Sequence, residues 1–268
     1  MEPSPKHLPG TESAAIVRTL SLREVRAGLS RLTATGGVVL VDGAPGLGKT
    51  FSTDLAVAQL GTEAYWIVMP NEPKGKETTA RVNLALTGTM PSGRRTEFDL
   101  LEENVGLLEG RPVALVIDEA QHLPTGSLRQ LRYLCDRQET QILLVLVGAD
   151  VERCIQRRCP ELYSRAEAIV RFQPLSGADA LAFVREFHPL FAHTNPEVLH
   201  LLWQALGGSV RGWAKVLKAS LGLRFTPALG LTADQAQAAL VAVQGTHAGT
   251  VRQRPGTGAV PALAPRAA

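Results

Sequence analysis

The sequence predicts an α/β fold, a parallel sheet covered by helices and followed by a smaller all-helical unit, and three observations carry that reading. The apolar run Val38-Val39-Leu40-Val41 leads into the octapeptide GAPGLGKT, Gly43 to Thr50, which has the GxxxxGK[ST] spacing of a phosphate-binding loop between a buried strand and a helix. A second apolar run, Pro112 to Ile117, ends in Asp118-Glu119, as expected of a parallel strand buried on both faces that delivers carboxylates to the sheet edge. Strand and helix patterns alternate up to Pro174. Beyond it only helical patterns remain, and that change marks a second unit.

Residues 1–12 are polar and proline-rich, a disordered amino terminus by composition. From Ala14 to Leu32, apolar residues at Ile16, Val17, Leu20, Leu22, Val25, Leu29 and Leu32 predict one or two amphipathic helices. Gly37 to Asp42 is the first strand, Lys49 to Leu60 the helix behind the loop, and Tyr65 to Met69 the next strand. Pro70 to Lys76 reads as a polar loop. Helices follow at Thr78 to Thr87 and, past the Pro91-Ser92-Gly93 turn, at Thr96 to Leu108. Then come the acidic strand Val113 to Ile117, a helix from Thr125 to Arg137, a strand from Gln141 to Val147, a helix from Val151 to Arg158 and a short strand from Ala168 to Phe172. These make an α/β core over residues 13–174. The helical lid, 175–243, contains Gly177 to Phe191, Pro196 to Leu206, Ser209 to Leu221, and Thr232 to Val243, the last opened by Thr232 and Gln235 as a capping box. Residues 244–268 hold Pro, Gly, Ala and three arginines with no acid, a flexible basic tail.

The two motifs define a chemistry. Glycines leave the backbone free to curl around an anion, so the N–H groups of Gly43, Ala44, Pro45, Gly46, Leu47 and Gly48 and of the following helix, where each has one, can point at phosphate oxygens. Lys49 then reaches the β and γ phosphates and Thr50 a magnesium ion, with Phe51 next to them among the nucleotide-binding residues. Asp118 suits the magnesium shell, and Glu119 suits orientation and deprotonation of a water attacking the γ-phosphate. An isolated glycine turn or acidic pair would be structural. In this order, behind two buried strands, they predict ATP and Mg2+ and an ATPase.

Composition excludes other classes. Lys and Arg number 28 against 25 Asp and Glu, a formal charge of +3, too weak to identify a nucleic-acid binder without a local cluster. No apolar run approaches the roughly 18 residues of a membrane span and the start lacks an apolar targeting segment, so a cytoplasmic protein with no membrane partner is expected. Cys135, Cys154 and Cys159 lack CxxC spacing and read as spectator thiols rather than ligands. His193 and His200 read as decorations on helices.

The order of phosphate loop, strand, insertion, acidic strand, helix, strand and helical lid resembles the AAA+ ATPases, specifically transposition regulators of the MuB, TnsC and TniB type, with ExeA-type secretion ATPases as near relatives. The resemblance covers roughly residues 14–222 and rests on GAPGLGKT, LVIDEAQHL (Leu115 to Leu123), LRYLCDRQETQILLVLVGAD (Leu131 to Asp150), LYSRAEAIVRFQPLS (Leu162 to Ser176) and GGSVRGWAKVL (Gly207 to Leu217). It implies a P-loop NTPase fold, an AAA+ parallel sheet core with a C-terminal helical lid. It also implies a trans-acting arginine, assigned to Arg165 with Arg157 and Arg158 as substitutes, and a lid arginine sensing nucleotide in cis, Arg211. A surface arginine and a helix-terminus arginine are the structural alternatives. Where the family presents a polar sensor after the fourth strand, this chain reads Gly148-Ala149-Asp150, leaving Asp150 as a weak candidate. Loops after the second strand contact DNA phosphates in the family, which points to Lys74, Lys76, Arg81, Arg94 and Arg95, set against only Glu72 and Glu77 between Pro70 and Arg95. A solvated charged loop is the other reading of those residues.

The function implied is an ATP-dependent regulator that assembles on duplex DNA as a homo-oligomeric ring or filament, recruits or activates a transposase, and disassembles on hydrolysis. An ATPase acting on a protein partner without DNA is the alternative. A helicase, suggested by Asp118-Glu119-Ala120-Gln121-His122, would need a second core that the residues after the acidic strand do not supply.

Overall fold

The computed structural model describes Thr11 and residues 13–245; the expected disordered start and basic tail lie almost wholly outside them. The chain runs α1 (Leu20–Leu32), β1 (Gly37–Gly43), α2 (Lys49–Val57), β2 (Glu63–Val68), α3 (Gly75–Thr87), α4 (Glu97–Leu108), β3 (Pro112–Asp118), a 3-10 turn (Ala120–His122), α5 (Thr125–Asp136), β4 (Gln141–Gly148), α6 (Val151–Arg158), α7 (Pro160–Tyr163) and β5 (Ala166–Phe172). The helical unit follows as α8 (Gly177–Phe187), α9 (Pro189–Ala192), α10 (Pro196–Leu206), α11 (Val210–Gly222), a 3-10 turn (Pro227–Leu229) and α12 (Ala233–Gly245).

All five strands are parallel, in the order β2-β3-β4-β1-β5. The alternation within each strand sorts side chains to two faces. Val38, Leu40, Leu115, Ile117, Leu144 and Leu146 meet α3 to α7 on one face, while Val39, Val41, Val116, Val145 and Val147 meet α1 and α2 on the other. Both faces are covered, which is why the strands read as continuous apolar runs. Each such side chain gains about 1.5–3 kcal/mol from burial, so the three central strands dominate the stability of the core. A separate cluster holds the helical unit together around Trp213, whose ring meets Phe191 edge-on with centroids 5.4 Å apart.

Five boundaries differ from expectation. Ala14 to Arg18 is not helical: Thr19 caps α1 by accepting from the Leu22 N–H, so the helix cannot begin earlier. The helix expected from Gly177 to Phe191 breaks at His188, because Pro189 removes a backbone donor and disfavours helical geometry in the residue before it. α2 ends at Val57 rather than Leu60, and β5 begins at Ala166 rather than Ala168. α3 starts at Gly75, three residues early, with Lys74 as its extended N-cap and Glu77 in its first turn. Its start is fixed from outside, since the buried Thr78 hydroxyl donates to Ser127 and the buried Thr79 hydroxyl to Gln130, both on α5. The capping box at α12 is present: Thr232 N–H donates to Gln235 Oε1 and Gln235 N–H to Thr232 Oγ1.

Candidate active site

The carboxyl ends of the strands gather the motif residues. β1 lies between β4 and β5, and β3 lies beyond β4, so the phosphate loop leaving β1 and the carboxylates leaving β3 are separated by one strand, roughly 10 Å. Ligands of open α/β sheets bind at this edge, where the strand order reverses. A cavity of about 370 Å3 opens there, lined by the loop from Pro45 to Ser52, by Asp118 and Glu119, by Gly148 and Ala149, and by Arg211.

Two of the loop's glycines are fixed by close approach as well as by angle. Gly43 has φ 143° and a Cβ there would lie 2.6 Å from the Phe172 carbonyl oxygen. Gly46 has φ 85°, and the lid closes directly on it: Arg211 N–H donates to the Gly46 carbonyl at 2.9 Å and a Cβ would meet Ser209 Oγ at 2.9 Å. The start of α11 is therefore docked on the phosphate loop, which places Arg211 at the cavity wall.

Lys49 is buried, and its ammonium donates to the carbonyls of Gly43 at 2.6 Å and Ala44 at 3.0 Å. Burial lowers its pKa, partly offset by Glu119, Asp42 and Asp118, while Arg211 lowers it further. Asp118 is 7% exposed; burial raises its pKa, opposed by hydrogen bonds from the Glu119 N–H and the Thr50 side chain and by Lys49. Glu119 stands out into the cavity, with its backbone in the left-handed region at φ 57°.

Sequence reasoning missed three parts of this site. The extended segment Ala14 to Thr19 forms one wall together with Phe183 and Phe187 of α8. It is held by Ala15 N–H donating to the Phe187 carbonyl at 2.8 Å. Residues some 170 positions apart share this wall, and no local pattern announces it. Asp42 accepts from the Val151 N–H at 2.9 Å, capping α6 from the end of β1. Gln121 reaches across to the end of β4, where its side chain accepts from the Ala149 N–H.

The residue after Phe187 is a histidine. His188 is buried, its Nδ1 accepts from the Leu190 N–H, and its Nε2 lies 3.1 Å from Ser13 Oγ. The Nδ1 contact assigns the neutral ring with the proton on Nε2. Burial lowers its pKa below the ordinary value, so the unfolded chain binds the proton first as pH falls. Stability from this contact is complete above about pH 6.5 and is lost as pH falls from there toward the folded value. Melting temperatures between pH 7.5 and 5.5 are expected to fall more in the wild type than in His188→Gln; equal falls would show that His188 contributes nothing.

The remaining predicted residues lie elsewhere. Arg165 precedes β5 at the sheet's other edge and binds both oxygens of Asp136, at 2.6 and 2.9 Å. Arg158 donates to the carbonyls of Gln121 and Leu123, so its guanidinium is committed internally; Arg157 is exposed. Asp150 does not line the cavity; it is the exposed residue before α6, which corrects its candidacy as a sensor. The DNA candidates are not one free loop. Lys76 donates to the Arg95 carbonyl, Arg81 pairs with Glu77 at 2.9 Å and Arg95 pairs with Glu103, all within the hairpin of α3 and α4. Lys74 and Arg94 are exposed and have no ion pair among the described residues. Burial pushes the Cys135 thiol up to about 12 and raises Cys159, and among the described residues no group of three or more His, Cys, Asp or Glu is arranged to hold a metal. The same residues include no helix long and apolar enough to cross a membrane.

Residues 32–154 match the family model of an AAA domain. General secretion pathway protein A of Aeromonas hydrophila is 30% identical over 194 residues, covering 66% of this chain and 35% of that protein, so the chain spans about a third of its relative's length. Among solved structures, the Aeropyrum pernix ORC1 protein in complex with DNA superposes with a TM-score of 0.66 at 17% identity, over 89% of this chain and 68% of that one. The Aeropyrum pernix ORC2 protein in its ADPNP-ADP complexes gives 0.63 at 16% identity, over 87% and 68%. At such identities the solved structures share the fold.

Proposed function

From the premise that the chain is an ATPase of the AAA+ P-loop fold, we propose that it is an ATP-dependent regulator of transposition, assembling on duplex DNA and recruiting or activating a transposase. The observation that carries the DNA part is the position of Lys74 and Arg94. β2 ends beside Asp118, with Val68 paired to Asp118 and Met69 N–H donating to the Asp118 carbonyl. The contact between Lys76 and the Arg95 carbonyl brings the segment before α4 back to the start of α3. Two exposed cations thus flank the start of α3, just past the end of β2, and would be free to meet DNA phosphates. The transposase part rests on the resemblance of the motif ensemble.

Within the site, Lys49 and the loop N–H groups would hold the β and γ phosphates, Arg211 would sense them from the lid, and Glu119 would orient and deprotonate the attacking water. Thr50 and the buried Asp118, both lining the cavity, offer the hard oxygen set that suits Mg2+, which would supply charge neutralisation on the phosphates. Arg165 would serve a neighbouring subunit.

Binding to random duplex DNA with a non-hydrolysable ATP analogue tests the reading. Phosphate contacts are expected to give sequence-independent affinity falling with salt at about 0.9 per contact, and Lys74→Ala with Arg94→Ala should weaken binding and flatten that slope while sparing nucleotide affinity. An unchanged slope would remove this surface, and no DNA binding by the wild type would remove the regulator. The second reading, action on a protein partner, is favoured by the 30% identity with General secretion pathway protein A, and that last outcome would select it.

A further inference from the structure

Hydrolysis by an acidic side chain requires the carboxylate to be held toward the water, and β4, between the phosphate loop and the acidic strand, is the natural source of a polar partner. Here β4 ends at Gly148 and is followed by Ala149, neither of which carries a polar side-chain atom. We propose that Gln121 takes that place and is the positioning residue that aims Glu119 at the attacking water. The proposal rests on the ATPase premise above.

The Gln121 amide spans the gap between the two strand ends. Its Oε1 accepts from the Ala149 N–H at 3.2 Å, and its Nε2 donates to Glu119 Oε2 at 2.6 Å. A backbone N–H can only donate and a carboxylate only accept, so one orientation of the amide satisfies both. Nε2 also lies 3.2 Å from His122 Nε2, while His122 itself is 3.9 Å from Glu119 Oε2. Among the described residues no other side chain is within hydrogen-bonding distance of the Glu119 carboxylate, although that side chain is about half exposed at 53%. Without Gln121 its rotamers would be set by solvent.

Two further features fit a built device. Gly148 leaves the space that the amide fills, because a Cβ there would overlap Gln121 Oε1 and displace it. From the other side, Arg158 donates at 2.7 Å to the Gln121 backbone carbonyl and at 2.9 Å to that of Leu123, clamping the turn that carries the amide onto α6. The linkage runs from Arg158 through Gln121 to Glu119, and from Gln121 to the end of β4.

Displacing a reacting group by about 1 Å costs on the order of 100-fold in rate, so Gln121→Ala should lower kcat about 10- to 100-fold with ATP affinity unchanged. Gln121→Glu keeps the shape and the Ala149 contact but replaces the donor with a second carboxylate; it should be as slow, which a merely structural role would not produce. Gly148→Ala should slow the wild type by a similar factor and add nothing in the Gln121→Ala background, where its clash is gone. Wild-type kcat in Gln121→Ala or Gln121→Glu, or full additivity of Gly148→Ala with Gln121→Ala, would overturn the proposal and leave the ATPase standing. No ATP turnover by the wild type would instead remove the ATPase and this proposal with it.

Discussion

Lys49→Ala is expected to lose ATP binding by about 10- to 100-fold, while Glu119→Gln binds ATP normally and loses turnover by roughly 100- to 10,000-fold. The two effects separate because the residues act at different stages. A charge-assisted hydrogen bond is worth about 1.5–3 kcal/mol, and the Lys49 ammonium already points into the loop, donating to the Gly43 and Ala44 carbonyls. Burial works against its charge, but Glu119, Asp42 and Asp118 work for it, so the cation is held without being neutralised by a single close partner. That arrangement leaves it available to phosphate. Glu119 contributes to binding little, being half exposed; as the proposed base it would be worth the factor general for positioned proton acceptors. Calorimetric titration with ATP measures the first effect and phosphate release the second. Wild-type affinity in Lys49→Ala would remove the phosphate-loop assignment, and wild-type turnover in Glu119→Gln would remove the base.

The parts of this site legible in the sequence are those fixed by local chemistry. GAPGLGKT sits on the β1 to α2 turn and Asp118-Glu119 ends β3, because a buried parallel strand is a short apolar run and a phosphate cradle demands glycine where the backbone turns tightly. Parallel topology followed from the alternation of elements. What stayed hidden depends on pairing across the chain. The wall formed by Ala14 to Thr19 against Phe187 has no periodicity, since an extended segment bonded to a helix end satisfies its backbone in tertiary contacts alone. The early start of α3 is decided by Ser127 and Gln130 on another helix. The break at His188 was readable, from Pro189. Gln121 was visible as a residue but not as a partner, because only the sheet order brings Gly148 beside it.

Arg165→Ala is expected to bind ATP with wild-type affinity and to hydrolyse it about 1,000-fold more slowly, the lower bound for a transition-state arginine. The geometry excludes action on its own nucleotide. β5 runs from Ala166, paired with Val38, to Phe172, paired with Gly43, so Arg165 lies about 20 Å from the phosphate loop, the length of the strand. It is also exposed, and its guanidinium is fixed by Asp136 and the Glu161 carbonyl. An exposed ion pair of this kind is worth about 0–1 kcal/mol, small enough for a neighbour's γ-phosphate to displace Asp136 or for Asp136 to stay as a support. Wild-type specific activity should therefore rise with protein concentration. Mixing Arg165→Ala with Lys49→Ala should restore activity, because about a quarter of head-to-tail boundaries in an equal mixture join an intact Lys49 to an intact Arg165. Arg157, exposed on α6, is the control: Arg157→Ala should hydrolyse normally, whereas Arg158→Ala should slow turnover through Gln121 without becoming rescuable. A concentration-independent rate with no rescue would assign hydrolysis to a site complete within one chain, and Arg165 would then be a surface residue paired with Asp136.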